Sequence, residues 1–246
     1  MESIWSSWYW PAATAVLGFI FTALVFAQFV KRRKMHQLCW SIGLLFYSVA
    51  AVMETVSEAT GHWDQGVYRI YIVLAASLVG FLGAGSFYLI ARKPKWPNIY
   101  LGFNVVMFLV FLVGALLAPL DAAKLVPGIT VGGQALGPSL SFPRIMSLVF
   151  NIPGTIFLLG AAVISIWRFS KKQEYAYRMW ANVLIAAGTL LIAYAGSRAR
   201  LGTTAGLYPA EMVASALLLA GFLLAGTLDK GVKAARARGE AARAQA

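Results

Sequence analysis

The sequence predicts an all-α polytopic membrane protein, a bundle of seven transmembrane helices with its N-terminus outside and its C-terminus in the cytoplasm. Three observations predict it. Seven apolar stretches lie near 11–30, 38–57, 67–91, 98–118, 144–167, 178–197 and 208–228, and each reaches the roughly 20 residues that a helical span needs. Sixty per cent of the 246 residues are hydrophobic, and a water-soluble domain of this size does not carry seven such runs. The charges then partition by loop. Lys31, Arg32, Arg33 and Lys34 follow span one, and Arg92, Lys93 and Lys95 follow span three. Arg168, Lys171, Lys172 and Arg178 lie between spans five and six, and Lys230, Lys233, Arg236, Arg238 and Arg243 fill the tail. Arg69, Lys124, Arg144, Arg198 and Arg200 fall on the opposite side. Cytoplasmic loops accumulate Lys and Arg, which sets the orientation. The net charge of +12 is therefore a topological signal and an attraction to anionic lipid at the cytoplasmic face, not the footprint of nucleic-acid binding.

Span one is preceded by Trp5, Trp8, Tyr9 and Trp10, an aromatic belt of the kind found at membrane interfaces. It lacks a basic n-region and a small-residue cleavage site, so it reads as an uncleaved anchor. Span two holds Cys39, the single cysteine, near its cytoplasmic end; one cysteine excludes an internal disulfide and a cysteine metal cluster. Glu54 lies near the outer end of the same span, with Glu58 one turn further out. Span three opens with Arg69 and Tyr71 and carries Ala76, Gly80 and Ala84 at four-residue spacing, a face on which helices approach closely in lipid. Span four contributes Asn104 as its one embedded amide.

The segment 119–143 is the long outer loop, rich in Gly and Pro. Within it Ile129-Thr130-Val131, Gly132-Gly133 and Gln134-Ala135-Leu136 fit a small hairpin with a two-residue turn. Such a loop is either a lid or a passive surface segment. Span five begins at Arg144, holds Asn151 two turns below, and contains Pro153-Gly154, where a kink is expected. Gly160 to Ala162 in span five, and Ala216, Ala220, Gly221 and Ala225 in span seven, are further packing surfaces. Asn182 lies in span six, which ends in Tyr194, Ser197 and Arg198; Glu211 occupies the first turn of span seven. The domain is thus 1–228, followed by a basic tail over 229–246 that is either a surface helix on anionic lipid or a solvated end. A shift of 140 residues superposes Phe29 on Phe169, Lys31 on Lys171, Trp40 on Trp180, Gly66 on Gly206 and Tyr68 on Tyr208. It maps spans one to three onto five to seven, a 3+1+3 parallel repeat of the kind some transporters use.

Polar side chains concentrate in the outer third. The candidate ligand-binding set is Glu54, Arg69, Tyr71, Arg144, Asn151, Tyr194, Arg198 and Glu211. Charge inside a membrane is costly unless paired or wetted. The set is open to two readings. One is an outward-facing pocket for a small ligand, anionic if the arginine forks engage it. The other is a group of interfacial salt bridges with snorkelling arginines. Few titratable groups lie below Glu54, which argues against a proton pump. Span seven has no lysine for a retinal Schiff base, and His36 and His62 are placed wrongly for haem. No His-Glu-x-x-His motif occurs, and Gly83-Ala84-Gly85-Ser86 lacks the order of a nucleophile elbow. No cofactor is expected and nothing supports enzyme function.

The stretch from Trp40 through Glu54 and Trp63 to Tyr68-Arg69-Ile70-Tyr71 and Gly85-Ser86-Phe87-Tyr88-Leu89, with Asn151-Ile152-Pro153-Gly154 and Asn182-Val183-Leu184-Ile185-Ala186, resembles a family of small, poorly characterised bacterial seven-span membrane proteins. More distantly it resembles the seven-span sensor regions of bacterial histidine kinases. The resemblance implies residence in the bacterial cytoplasmic membrane and ligand sensing at the outer face. The chain lacks a cytoplasmic output domain, so sensing implies a separate protein partner. A small-molecule transporter of 3+1+3 helices and a structural subunit of a larger complex are the alternatives.

Overall fold

A computed structural model describes residues 8–127, 133–138, 141–170 and 176–244. Seven α-helices are present: α1 (Tyr9–Arg32), α2 (Met35–Thr60), α3 (Gln65–Ile90), α4 (Lys95–Leu117), α5 (Phe142–Ser170), α6 (Ala176–Arg200) and α7 (Leu207–Ala244). All seven are long and apolar enough to cross a bilayer, so the chain is a multi-pass membrane protein. Local chemistry ends the first helices where the polar loops begin. Arg33 adopts a left-handed conformation (φ 51°) and stops α1, leaving a link of two residues before α2. Gly61 (φ 73°) stops α2, and the Asp64 carboxylate then caps α3 by accepting from the Val67 amide, satisfying an amide that the helix start leaves without a partner.

The order in space is not simply the order in sequence. α1, α2, α3, α5, α6 and α7 pack in that sequence around a ring, which α1 and α7 close against each other. α4 lies outside it, against α3 and more lightly against α5. Only 17% of its apolar window is buried, the smallest share among the seven. The pairs α1–α2, α2–α3, α3–α4, α5–α6 and α6–α7 pack as sequence neighbours, and α3 also packs directly on α5. The reason is glycine. A Cβ at Gly83 would lie 2.5 Å from the Gly154 Cα, so the α3 and α5 backbones touch at a point that admits no side chain on either. Ala76 and Ala84, on the small-residue face expected of span three, are buried there. The same device joins α6 and α7, where a Cβ at Gly221 would meet the Ala181 carbonyl at 2.7 Å.

α5 continues as one helix through Pro153. One other expectation requires correction. No hairpin strand forms at Gln134–Leu136. These residues make a 3₁₀ turn after Gly133, itself left-handed at φ 85°, while the other arm, 128–132, lies outside the described residues. α7 continues in one helix from Leu207 to Ala244, into the basic tail. Its 38 residues span about 57 Å at 1.5 Å per residue, well beyond the hydrocarbon core. Trp5, Lys171 and Lys172 lie outside the described residues, as do the side chains of Arg200 and the tail.

Candidate functional site

The ring encloses a cavity of about 630 Å³. It extends from Trp40 to Glu54 on α2, from Tyr71 to Ser86 on α3 and from Arg144 to Leu158 on α5. On α6 it extends from Ile185 to Ala199, and on α7 from Glu211 to Phe222. Fourteen residues of helix measure about 21 Å, two-thirds of a hydrocarbon core of about 30 Å. The walls are mostly apolar. The charged lining collects at the end nearest the chain's N-terminus, where Glu54, Arg144 and Glu211 stand with Tyr71, Ser147 and Asn151, while Thr155, Thr189 and Ser86 line the rest.

Glu54 is the centre of this group and only 3% exposed. The Tyr71 hydroxyl donates to its Oε1 at 2.6 Å. Glu211 lines the same wall of the cavity as Glu54. α7 is anchored beside it. The Tyr47 hydroxyl donates to the Glu211 carbonyl at 3.0 Å and lies 2.9 Å from the Ser215 hydroxyl. A second tyrosine–carboxyl contact sits one turn above, where the Tyr208 hydroxyl donates to Glu58 at 2.8 Å. Asn151 donates to the carbonyls of Ser147 at 2.6 Å and Ala76 at 3.2 Å, tying α5 to α3. Trp63, Tyr68 and Tyr71 form an aromatic wall behind Glu54, with ring centroids 4.8–6.1 Å apart.

The turn at Gln134–Leu136 covers this end. Gly133 is part of the cavity wall, and Ala135 and Leu136 are wholly buried. The Gln134 side chain donates to the Ala199 carbonyl at 3.0 Å, and the Asp121 amide donates to the Ala135 carbonyl at 2.9 Å. The Tyr68 hydroxyl lies within hydrogen-bonding reach of the Gly133 and Ala135 backbone. Burial on this scale separates the segment from a passive surface loop.

Five of the eight expected site residues line the cavity: Glu54, Tyr71, Arg144, Asn151 and Glu211. Three do not. Arg69 donates through Nη1 to the carbonyls of Ala115 and Ala118, each at 2.6 Å, and so caps the end of α4. Tyr194 is 62% exposed on the outer surface of α6, and the Arg198 guanidinium lies over its ring at 5.8 Å. The expected exchange of charge between acids and arginines is not how Glu54 and Arg69 are satisfied. Glu54 is held by Tyr71, Arg69 by main-chain oxygens. Tyr47 and Ser215 were not anticipated, although a signal existed. Tyr47 lies seven residues before Glu54, two turns along the same face, and Ser215 lies four after Glu211. Gln134 had no comparable signal, because only the fold carries its loop to α6.

Comparison with known proteins returned no matching family model, no matching curated protein and no matching solved structure.

Proposed function

We propose that this chain is a membrane-embedded binding protein of the receptor or sensor type, with its ligand held in the ring cavity against Glu54 and Glu211. The observation that carries this reading is a carboxyl pair, Glu54 buried and Glu211 half-buried, on the wall of a roughly 630 Å³ cavity. Ligand sites are concave, mostly apolar and equipped with a few convergent polar groups, with volumes of about 300–1,000 Å³. The expectation of an anionic ligand rested on three arginines. Only Arg144 of the three lines the cavity, and it shares that end with two carboxyls, so the proposed ligand is not an anion. With the N-terminal face outward, as the basic loops suggest, the polar end lies toward the outside of a bacterial cytoplasmic membrane. The basic face then meets anionic lipid and the partner that receives the signal.

The test is native mass spectrometry of protein released from mild detergent, beside a Glu54→Ala variant. The expected result is a bound small molecule in the first and none in the second. Apoprotein in both would reject the reading.

A second reading, a 3+1+3 transporter, is favoured by one observation. The ring order α1-α2-α3-α5-α6-α7 maps onto itself when the first three helices exchange with the last three, and α4 stays outside. That is the geometry a parallel repeat would produce. It predicts ligand flux in liposomes, where the binding reading predicts none.

A further inference from the structure

The cavity has two ends of different chemistry and an exposed stripe along one side. Its charged lining residues, Glu54, Glu211 and Arg144, all lie at one end. The opposite end is formed by Leu44, Leu78, Leu82, Leu218 and Phe222. There the Trp40 indole is turned onto its neighbours, donating to the Leu82 carbonyl at 3.1 Å. The polar end has the Gly133–Leu136 turn against it, with Ala135 and Leu136 inaccessible. The side is different. Leu148, Ile152 and Ile156 follow one stripe of α5 at four-residue spacing; all three line the cavity and yet are 44%, 57% and 63% exposed. Lining residues this exposed fit a lateral opening beside α5, and the neighbouring α6 lines the cavity with Ile185, Thr189 and Ile192.

Building on the binding reading, we infer that the cavity takes a single-chain, uncharged amphiphile that enters sideways from the bilayer between α5 and α6. Its hydroxyl-bearing head lies against Glu54 and Glu211, and its alkyl chain lies along the apolar tube. The head is uncharged because the site presents both signs: Glu54 and Glu211 share one end of the cavity with Arg144, and Asn151 adds an amide. A hydroxyl, which both donates and accepts, matches such a set; an ion of either sign would meet a like charge in a medium of low dielectric. The chain belongs in the tube because water-soluble ligands gain nothing from some 20 Å of apolar wall.

The probe is a C16 monoacylglycerol with a diazirine in its chain, added to the full-length protein in phosphatidylcholine nanodiscs. The expected result is saturable labelling of peptides bearing Leu78, Leu82 or Phe222, displaced by unlabelled 1-palmitoylglycerol and not by glycerol. Glu54→Gln should lower the apparent affinity roughly tenfold or more by weakening the head contact, and Ile156→Trp should slow the onset of labelling roughly tenfold or more by narrowing the entry. Ile156 is mostly exposed, so its variant retains the fold even where a buried substitution fails. Displacement by glycerol as effective as by the monoacylglycerol would overturn this inference and leave the polar cavity standing as a site. Labelling that does not saturate and stays on the outer, lipid-facing surface would overturn it as well. An unchanged labelling rate in Ile156→Trp, with affinity lost in Glu54→Gln, would overturn the sideways entry. A protein that binds neither compound, and leaves detergent as apoprotein, would overturn this inference and the binding reading together.

Discussion

At the scale of single residues, the buried acid is stabilised by a phenol rather than by an arginine. Tyr71 is 3% exposed and its hydroxyl has Glu54 as acceptor. Tyr71→Phe removes the donor and leaves a buried carboxyl oxygen unsatisfied, which costs about 1–3 kcal/mol. The expected outcome is a lowered unfolding midpoint in mild detergent together with weakened ligand binding. Arg69 behaves differently. Arg69→Ala frees the Ala115 and Ala118 carbonyls, which should lower stability by about 1–3 kcal/mol because hydrogen bonds to charged donors are the stronger kind. Binding to the ring cavity should persist, and a ligand titration of the variant checks this; loss of binding would return Arg69 to the site. The polar set was legible in the sequence as a layer, because depth along a span follows from counting residues. Which of its members face inward was not legible, since a helix face turns by about 100° per residue and several faces of these apolar spans look alike.

At the scale of elements, glycine decides which helices meet. Gly83→Ala places a methyl group against the Gly154 backbone. Overpacking at a site that cannot relax costs about 1–3 kcal/mol, so the variant should unfold earlier on heating or in denaturant. Gly102→Ala has nothing within 4 Å of the new methyl and serves as the control, with unchanged or slightly raised stability. Equal midpoints for the two would argue against direct contact of α3 and α5. The spacing of small residues in span three pointed to a packing face, yet not to its partner. Gly154 belongs to the fifth span, and a close approach between two glycines leaves no mark in either stretch alone. The loop before α5 shows a similar limit. Gly132-Gly133 signals a turn, and the sequence pattern beside it alternates as a strand would. Burial of Ala135 and Leu136 under α3 and α6 instead makes the chain turn tightly as a 3₁₀ segment.

At the scale of the whole molecule, six helices close a ring and the fourth stands outside it. Phe21 on α1 and Phe222 on α7 mark the closure, their ring centroids 5.0 Å apart. Phe21→Cys with Phe222→Cys, in a Cys39→Ala background, should cross-link with a short bifunctional maleimide in native membranes. Phe21→Cys with Val106→Cys on α4 should not. Absence of the first product, or equal yield of the second, would contradict the ring order. Cys39 is buried and is the one native cysteine, so the background stays clean. The arrangement also explains why α4 is so little buried: it contributes no wall to the cavity, and its outward face reads as uniformly apolar.

The sequence by itself determined the class, the number of helices and the layer that holds the polar groups. These depend on local quantities, namely the length and apolarity of each run, the basic loops and the count of residues from each end. The tertiary structure alone decided that α3 packs on α5, that Arg69, Tyr194 and Arg198 stand off the cavity, and that Glu54 meets Glu211 across more than 150 residues of chain. Those outcomes depend on which faces come together. In an apolar solvent the hydrophobic effect does not choose among them, so the choice falls to close backbone contacts and buried hydrogen bonds that no single span encodes.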